Sequence, residues 1–146
     1  MLRKEPAGAM RLIASINLFL AAAAVAQPNA PVPIEGLWRN PSGTAIIEIA
    51  PCGAVFCGKV VWASERGQRE AAKGAPQIVG TTVLTGLKSV QDSWTGTLFI
   101  PDDDIHVSAT LKMVGNRQLK LTGCAFIGLF CRSQIWSRAD TLPRND

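Results

Sequence analysis

The chain has 146 residues, 47% of them hydrophobic and 18% charged, with a formal net charge of +4. That length allows one domain with a core of its own. The lysines and arginines are scattered and form no basic stripe, which argues against nucleic acid as a partner.

Arg3, Lys4 and Arg11 precede or open an apolar run from Leu12 to Val25 that is broken only by Ser15 and Asn17. Ala24-Val25-Ala26 then offers a small-x-small cleavage site before Gln27. This pattern predicts a signal peptide over residues 1–26. A membrane anchor is the alternative, but the run is shorter than the roughly 20 residues a span needs. Pro28, Pro31 and Pro33 follow at once. Gln27, not a cysteine, directly follows the cleavage site, so a lipid anchor is not expected. Cleavage would remove three basic residues and one acidic residue, leaving 120 residues with a formal charge of +2 and no transmembrane anchor.

Residues 27–33 read as a Pro-rich leader, 34–140 as the folded domain and 141–146 as a tail. From Ile34 onward the hydrophobic period is two, as in half-buried strands. Ala45, Ile47 and Ile49 alternate with Thr44, Ile46 and Glu48. Val60 and Trp62 alternate with Lys59 and Val61, and Val107, Ala109, Leu111 and Met113 with Ser108, Thr110 and Lys112. Leu119 and Leu121 follow in the same phase. Strands are expected at roughly 35–40, 44–50, 57–63, 81–87, 94–100, 105–114, 117–124 and 131–138. Gly115-Asn116 reads as a two-residue hairpin turn. Glu65 to Lys73 is the only stretch that could be helical, and Gly67 weakens it.

Cys52 and Cys57 enclose Gly53-Ala54-Val55-Phe56, and Cys124 and Cys131 enclose Ala125 to Phe130. In an exported chain four cysteines imply disulfides, and four allow three pairings. Pairing within each bracket is favoured, because a hairpin brings its own ends together. Loops this short stabilise by about 2 kcal/mol each on the chain-entropy account. Zinc is disfavoured by the spacings and by thiol oxidation. Eight sequential strands with short links favour an all-β fold, a single antiparallel up-and-down barrel, over a sandwich. Closure removes the sheet edges and leaves an interior that side chains fill or that holds one small ligand.

Gly36-Leu37-Trp38 at the first strand and Arg138 on the last resemble the lipocalin arrangement. There a tryptophan plugs one end of the barrel beneath an arginine, a contact worth about 0.5–2 kcal/mol by cation–π attraction. A wider resemblance runs through Ile47-Glu48-Ile49, Pro51-Cys52-Gly53 and Cys57-Gly58-Lys59-Val60-Val61-Trp62. It continues through Val79-Gly80, Leu84-Thr85-Gly86-Leu87, Trp94-Thr95-Gly96, Pro101-Asp102, Ile127-Gly128 and Gln134-Ile135-Trp136-Ser137-Arg138. These motifs resemble the bacterial domain-of-unknown-function 2147 family. The resemblance implies a small exported lipocalin-like barrel, placed in the periplasm or secreted by a Gram-negative-type bacterium, with no established activity. The chain departs from the family pattern at Asp103-Asp104, where a glycine is usual, at His106, where a tyrosine is common, and in its second cysteine bracket.

No enzyme is expected. His106 is the only histidine and shares the outward phase of Ser108 and Thr110. No nucleophile motif accompanies it. Asp102-Asp103-Asp104 lacks the spacing of a calcium loop and reads as a solvated turn. No metal or cofactor is implied.

Trp38, Ile47, Trp62, Leu98, Leu111 and Leu119 share the interior phase and are the candidate lining for a small apolar or amphipathic ligand. Gly36, Trp38 and Arg138 are the candidate closure. The bracketed loops are apolar where hairpin tips are usually polar. Folding inward as caps is the favoured reading; the others are that they rim a ligand cavity or form an exposed patch for a partner or a membrane surface. In the third case Phe126, Ile127, Leu129 and Phe130 would bind a protein partner. Five strands separate the two loops, which puts them at opposite barrel ends. The segment Ser64 to Gln77 shares an end with the second loop and could act as a lid.

Overall fold

The computed structural model describes residues 33–144. The signal peptide expected over 1–26 and nearly all of the leader lie outside the described residues.

Eight strands follow in chain order: β1 Gly36–Arg39, β2 Ala45–Cys52, β3 Val55–Ala63, β4 Thr82–Val90, β5 Ser93–Ile100, β6 Ile105–Val114, β7 Gln118–Ala125 and β8 Phe130–Ala139. One helix, α1 Glu65–Ala71, lies between β3 and β4. Each strand pairs antiparallel with the next, and β1 pairs with β8, closing the barrel. Alternating residues of every strand therefore point inward. The interior is filled by Trp38, Ile47, Ile49, Val60, Leu84, Leu87, Trp94, Ala109, Leu111 and Leu119, all buried.

The ends of the barrel differ. The base holds the start of β1, the β2–β3, β4–β5 and β6–β7 turns and the end of β8. The mouth holds the β1–β2 turn, α1, the β5–β6 turn and the β7–β8 tip. Trp38 is fully buried at the base and donates from Nε1 to the Ile34 carbonyl at 2.8 Å. Arg138 lies over its ring, 4.2 Å from the centroid. The same guanidinium donates to the carbonyls of Glu35, Pro33 and Asn116 at 2.8, 2.6 and 3.3 Å. It thus ties the chain entering β1 to the β6–β7 turn. Gly36 has φ +116°, and a Cβ there would lie 2.9 Å from Arg138 Nη1, so only glycine fits both the backbone and the approaching guanidinium.

Two sequence expectations are corrected. Trp62 does not face inward. In the β2–β3 register Ile46 pairs with Trp62 but Ile47 with Val60, so Val61 is an extra residue, a bulge. The bulge flips the phase, putting Val60 inside and Trp62 outside. There Trp62 sits half-buried across from Ile46, with the Arg39 guanidinium 5.9 Å from its ring centroid. The expected two-residue Gly115-Asn116 turn is a three-residue one. Val114 pairs with Gln118, Gly115 takes φ +72°, and the Arg117 carbonyl accepts from the Arg138 backbone N–H.

The cysteines pair as Cys52–Cys57 and Cys124–Cys131, across the β2–β3 and β7–β8 turns. No helix among the described residues is long and apolar enough to cross a membrane.

Candidate functional site

Helix α1 covers part of the mouth, and local chemistry explains its placement. Ser64 caps it, accepting from the Gly67 N–H at 3.1 Å, and Glu65 occupies the first turn, where the helix dipole favours an acid. Gly67 and Ala71 form its buried face. A Cβ on Gly67 would lie 2.5 Å from the Thr44 carbonyl, so the glycine that weakens the helix also lets it lie directly on the β1–β2 turn. The Ser64 N–H donates to the Thr44 carbonyl at 2.9 Å, and the Gly74 N–H to the Pro101 carbonyl at 3.0 Å. The segment is therefore fastened to the turns on two sides of the mouth.

Beneath it lies a cavity of about 280 Å³. Its inner wall is apolar: Ile47, Val60, Ala63, Val83, Leu98 and Leu121, with Ala71 and Ile78 from the covering segment. Its outer rim is polar: Asn40, Ser42, Thr44, Glu70, Asp102 and Gln134. Asn40 organises one side. Its Oδ1 accepts from the N–H groups of Thr44 and Ala45, and its Nδ2 donates to Ser42 Oγ and Thr44 Oγ1. Across the rim Trp136 Nε1 donates to Gln134 Oε1 at 3.0 Å. Strand β1 meets β8 only over Leu37–Arg39 and Ser137–Ala139. Beyond Arg39 the two part, and β8 runs on to Phe130 with no second neighbour among the described residues. Gln134 and Trp136 line the cavity beside this gap.

Of the six residues expected to line a ligand, Ile47 and Leu98 do so. Trp38, Leu111 and Leu119 are buried interior residues but do not line the cavity. Trp62 is outside. Sequence reasoning missed Val60, Val83, Leu121 and Trp136. The inward phase of Val60 and Leu121 is legible in the alternation, and that of Trp136 once its pairing with Leu119 is known. A second, open depression at the base, about 590 Å³, touches Glu35, Trp94, Asn116 and Arg138. The guanidinium there is already committed to three carbonyls.

His106 is exposed and stacks on Phe99, with centroids 4.7 Å apart, and lines neither cavity. Among the described residues no three His, Cys, Asp or Glu side chains are grouped to hold a metal. The first bracketed loop partly turns inward, with Phe56 packed on the core. The second does not, which corrects the expectation of inward capping. Phe126, Ile127, Leu129 and Phe130 are exposed.

The curated proteins hold no match to this chain. A solved structure resembles it: a protein of the human pathogen Helicobacter pylori, HP1028, described as belonging to the lipocalin family. The two superpose with a TM-score of 0.57 at 14% identity, over 75% of this chain and 85% of that one. The likeness extends to the fold, a lipocalin-like barrel. The model of a bacterial family described as uncharacterized conserved proteins matches residues 36–138, from the glycine before Trp38 to the arginine above it. The chain belongs to that family, DUF2147.

Proposed function

We propose that this is an exported, non-enzymatic β-barrel protein that holds one small apolar or amphipathic molecule beneath α1. The observation that carries the reading is the cavity itself, apolar in its depth and polar at its rim, as ligand sites are. Its 280 Å³ is about nine water molecules' share of liquid volume, room for a ligand on the order of ten non-hydrogen atoms. The rim carries Glu70 and Asp102 but no lysine, arginine or histidine. Arg66 binds Glu70 from outside the cavity at 3.1 Å. A neutral or cationic head group suits this rim better than a carboxylate. Two disulfides and the signal-like N-terminus support an oxidising destination, the periplasm or the exterior of a Gram-negative-type bacterium.

The test is displacement of an environment-sensitive apolar dye by short alkyl alcohols, amines and carboxylates of equal length. The alcohol and amine should displace it at lower concentration than the carboxylate, and Val83→Phe, which fills the cavity, should abolish uptake. A wild-type protein that takes up no dye and none of the three competitors removes the reading.

A second reading is an interaction module working through the β7–β8 tip. The exposure of its four large apolar side chains favours it.

A further inference from the structure

The β7–β8 tip holds apolar side chains outward by construction. No polar side chain lies between Cys124 and Cys131. Phe126, Ile127, Leu129 and Phe130 are 74%, 105%, 77% and 68% exposed. The disulfide clamps the base of the tip, and the rings of Phe126 and Phe130 meet edge to face, 5.8 Å apart. Phe126 and Ile127 take φ +52° and +54°. These left-handed conformations suit Gly or Asn and are costly for a β-branched residue. Such strain marks functional positions more often than it marks packing.

Charge is the second observation. From Ile105 to Ala139 the chain contains no aspartate or glutamate, and it carries Lys112, Arg117, Lys120, Arg132 and Arg138. Lys112 is paired with Asp92, Arg117 with Asp140, and Arg138 with backbone carbonyls. Lys120 and Arg132 are exposed and form no ion pair among the described residues; Arg132 lies two residues from the tip, whereas Lys120, paired with Lys112 and Ile135, lies toward the base.

We propose that this hairpin docks the protein on an anionic lipid bilayer. The four apolar side chains enter the acyl boundary and Arg132, two residues from Phe130, meets the phosphates, the division of labour seen in interfacial membrane anchors. The tip is convex and a fluid bilayer accepts any convex apolar shape, whereas a protein partner would need a pocket cut to it. Asp102, Asp103 and Asp104 stand at the same barrel end and oppose a flat approach, so the hairpin leads. Docking would bring the gap between β1 and β8, beside the cavity, toward the lipid. This deepens the interaction reading by naming its partner.

The test is co-sedimentation of the oxidised protein, purified from cells that export it, with phosphatidylcholine vesicles with and without phosphatidylglycerol. Binding should rise with phosphatidylglycerol and fall with salt. Phe126→Ser with Phe130→Ser should weaken it by at least about tenfold while leaving the melting midpoint nearly unchanged. Ile127→Gln, at a wholly exposed position, is the second variant should the double one unfold. Arg132→Gln should reduce the preference for phosphatidylglycerol by about fivefold, and Lys120→Gln, toward the base, should not. A wild-type protein that stays in the supernatant with both vesicles overturns the proposal, as does undiminished binding by the tip variants. Vesicle-independent self-association that the serine variant loses also overturns it, and leaves the interaction reading standing with a second copy as partner.

Discussion

Arg138 joins more of the molecule than any other side chain. It stacks on Trp38, holds the carbonyls of Pro33 and Glu35, and reaches the β6–β7 turn at Asn116. Replacing it with methionine keeps the stem and leaves three carbonyls and an indole face without their cation. The expected loss is about 2–4 kcal/mol, read as a lower denaturation midpoint. Gly36→Ala should cost a similar amount, since it combines a left-handed φ with a Cβ 2.9 Å from Nη1. A midpoint unchanged in both variants would mean that the base is not what closes the barrel. Asp92 makes a smaller, pH-dependent contribution. Its hydrogen bond and charge contact with Lys112, at 2.6 Å, hold its carboxyl below the usual value of 3.8. A depressed pKa stabilises the folded state above the unfolded value, and that stability is lost as pH falls through the folded one. The Asp92 carbon resonance should therefore titrate below a model aspartate, and Lys112→Met should return it to the ordinary range. The Gly-x-Trp and the distant arginine were legible as a pair through their resemblance to the lipocalin arrangement. The three carbonyl contacts were not legible, because they depend on the path of backbone that carries no side-chain signature.

At the level of elements, the strands announce themselves through alternation, and their observed bounds differ from expectation by at most three residues. The failures have local causes. A single extra residue at Val61 moved Trp62 from inside to outside, and period-two reasoning cannot detect an insertion of one. Gly67 read as a weakness of α1 when it is the condition of its docking on Thr44. Gly67→Ala should therefore raise intrinsic helix propensity and yet loosen the lid. A Cβ 2.5 Å from a backbone carbonyl forces α1 away from the turn. The expected observation is faster amide exchange at Ser64 and Gly74, whose N–H groups tie the segment down. Unchanged exchange at both would mean that the helix is not held by that contact. The second bracketed loop, apolar in composition, leaves three readings open in the sequence, of which inward capping is favoured. Its left-handed backbone, set by a short disulfide-closed turn, turns those side chains outward instead.

For the whole molecule, the two barrel ends are built for different tasks. The base is closed by Trp38, Ile34 and Arg138, the first two fully buried. The mouth combines a fastened helix, a cavity with a polar rim, and a strand β8 that outruns its neighbour β1. An eight-stranded barrel can fill its interior completely, and here Trp38, Trp94, Leu111 and Leu119 fill the lower part only. The upper part leaves a cavity walled by Ala63, Val60, Val83, Leu98 and Leu121, with Ala71 above. It emerges only when residues from β3, β4, β5, β7 and α1 are brought to one level.

The measurement that tests this most directly is a backbone amide titration by NMR with a short alkyl alcohol. Saturable one-to-one shifts should appear at Val60, Val83, Leu98 and Leu121, and none at the base around Trp38 or at the tip from Phe126 to Phe130. Shifts confined to the tip, or none at any concentration, would contradict a ligand site beneath α1.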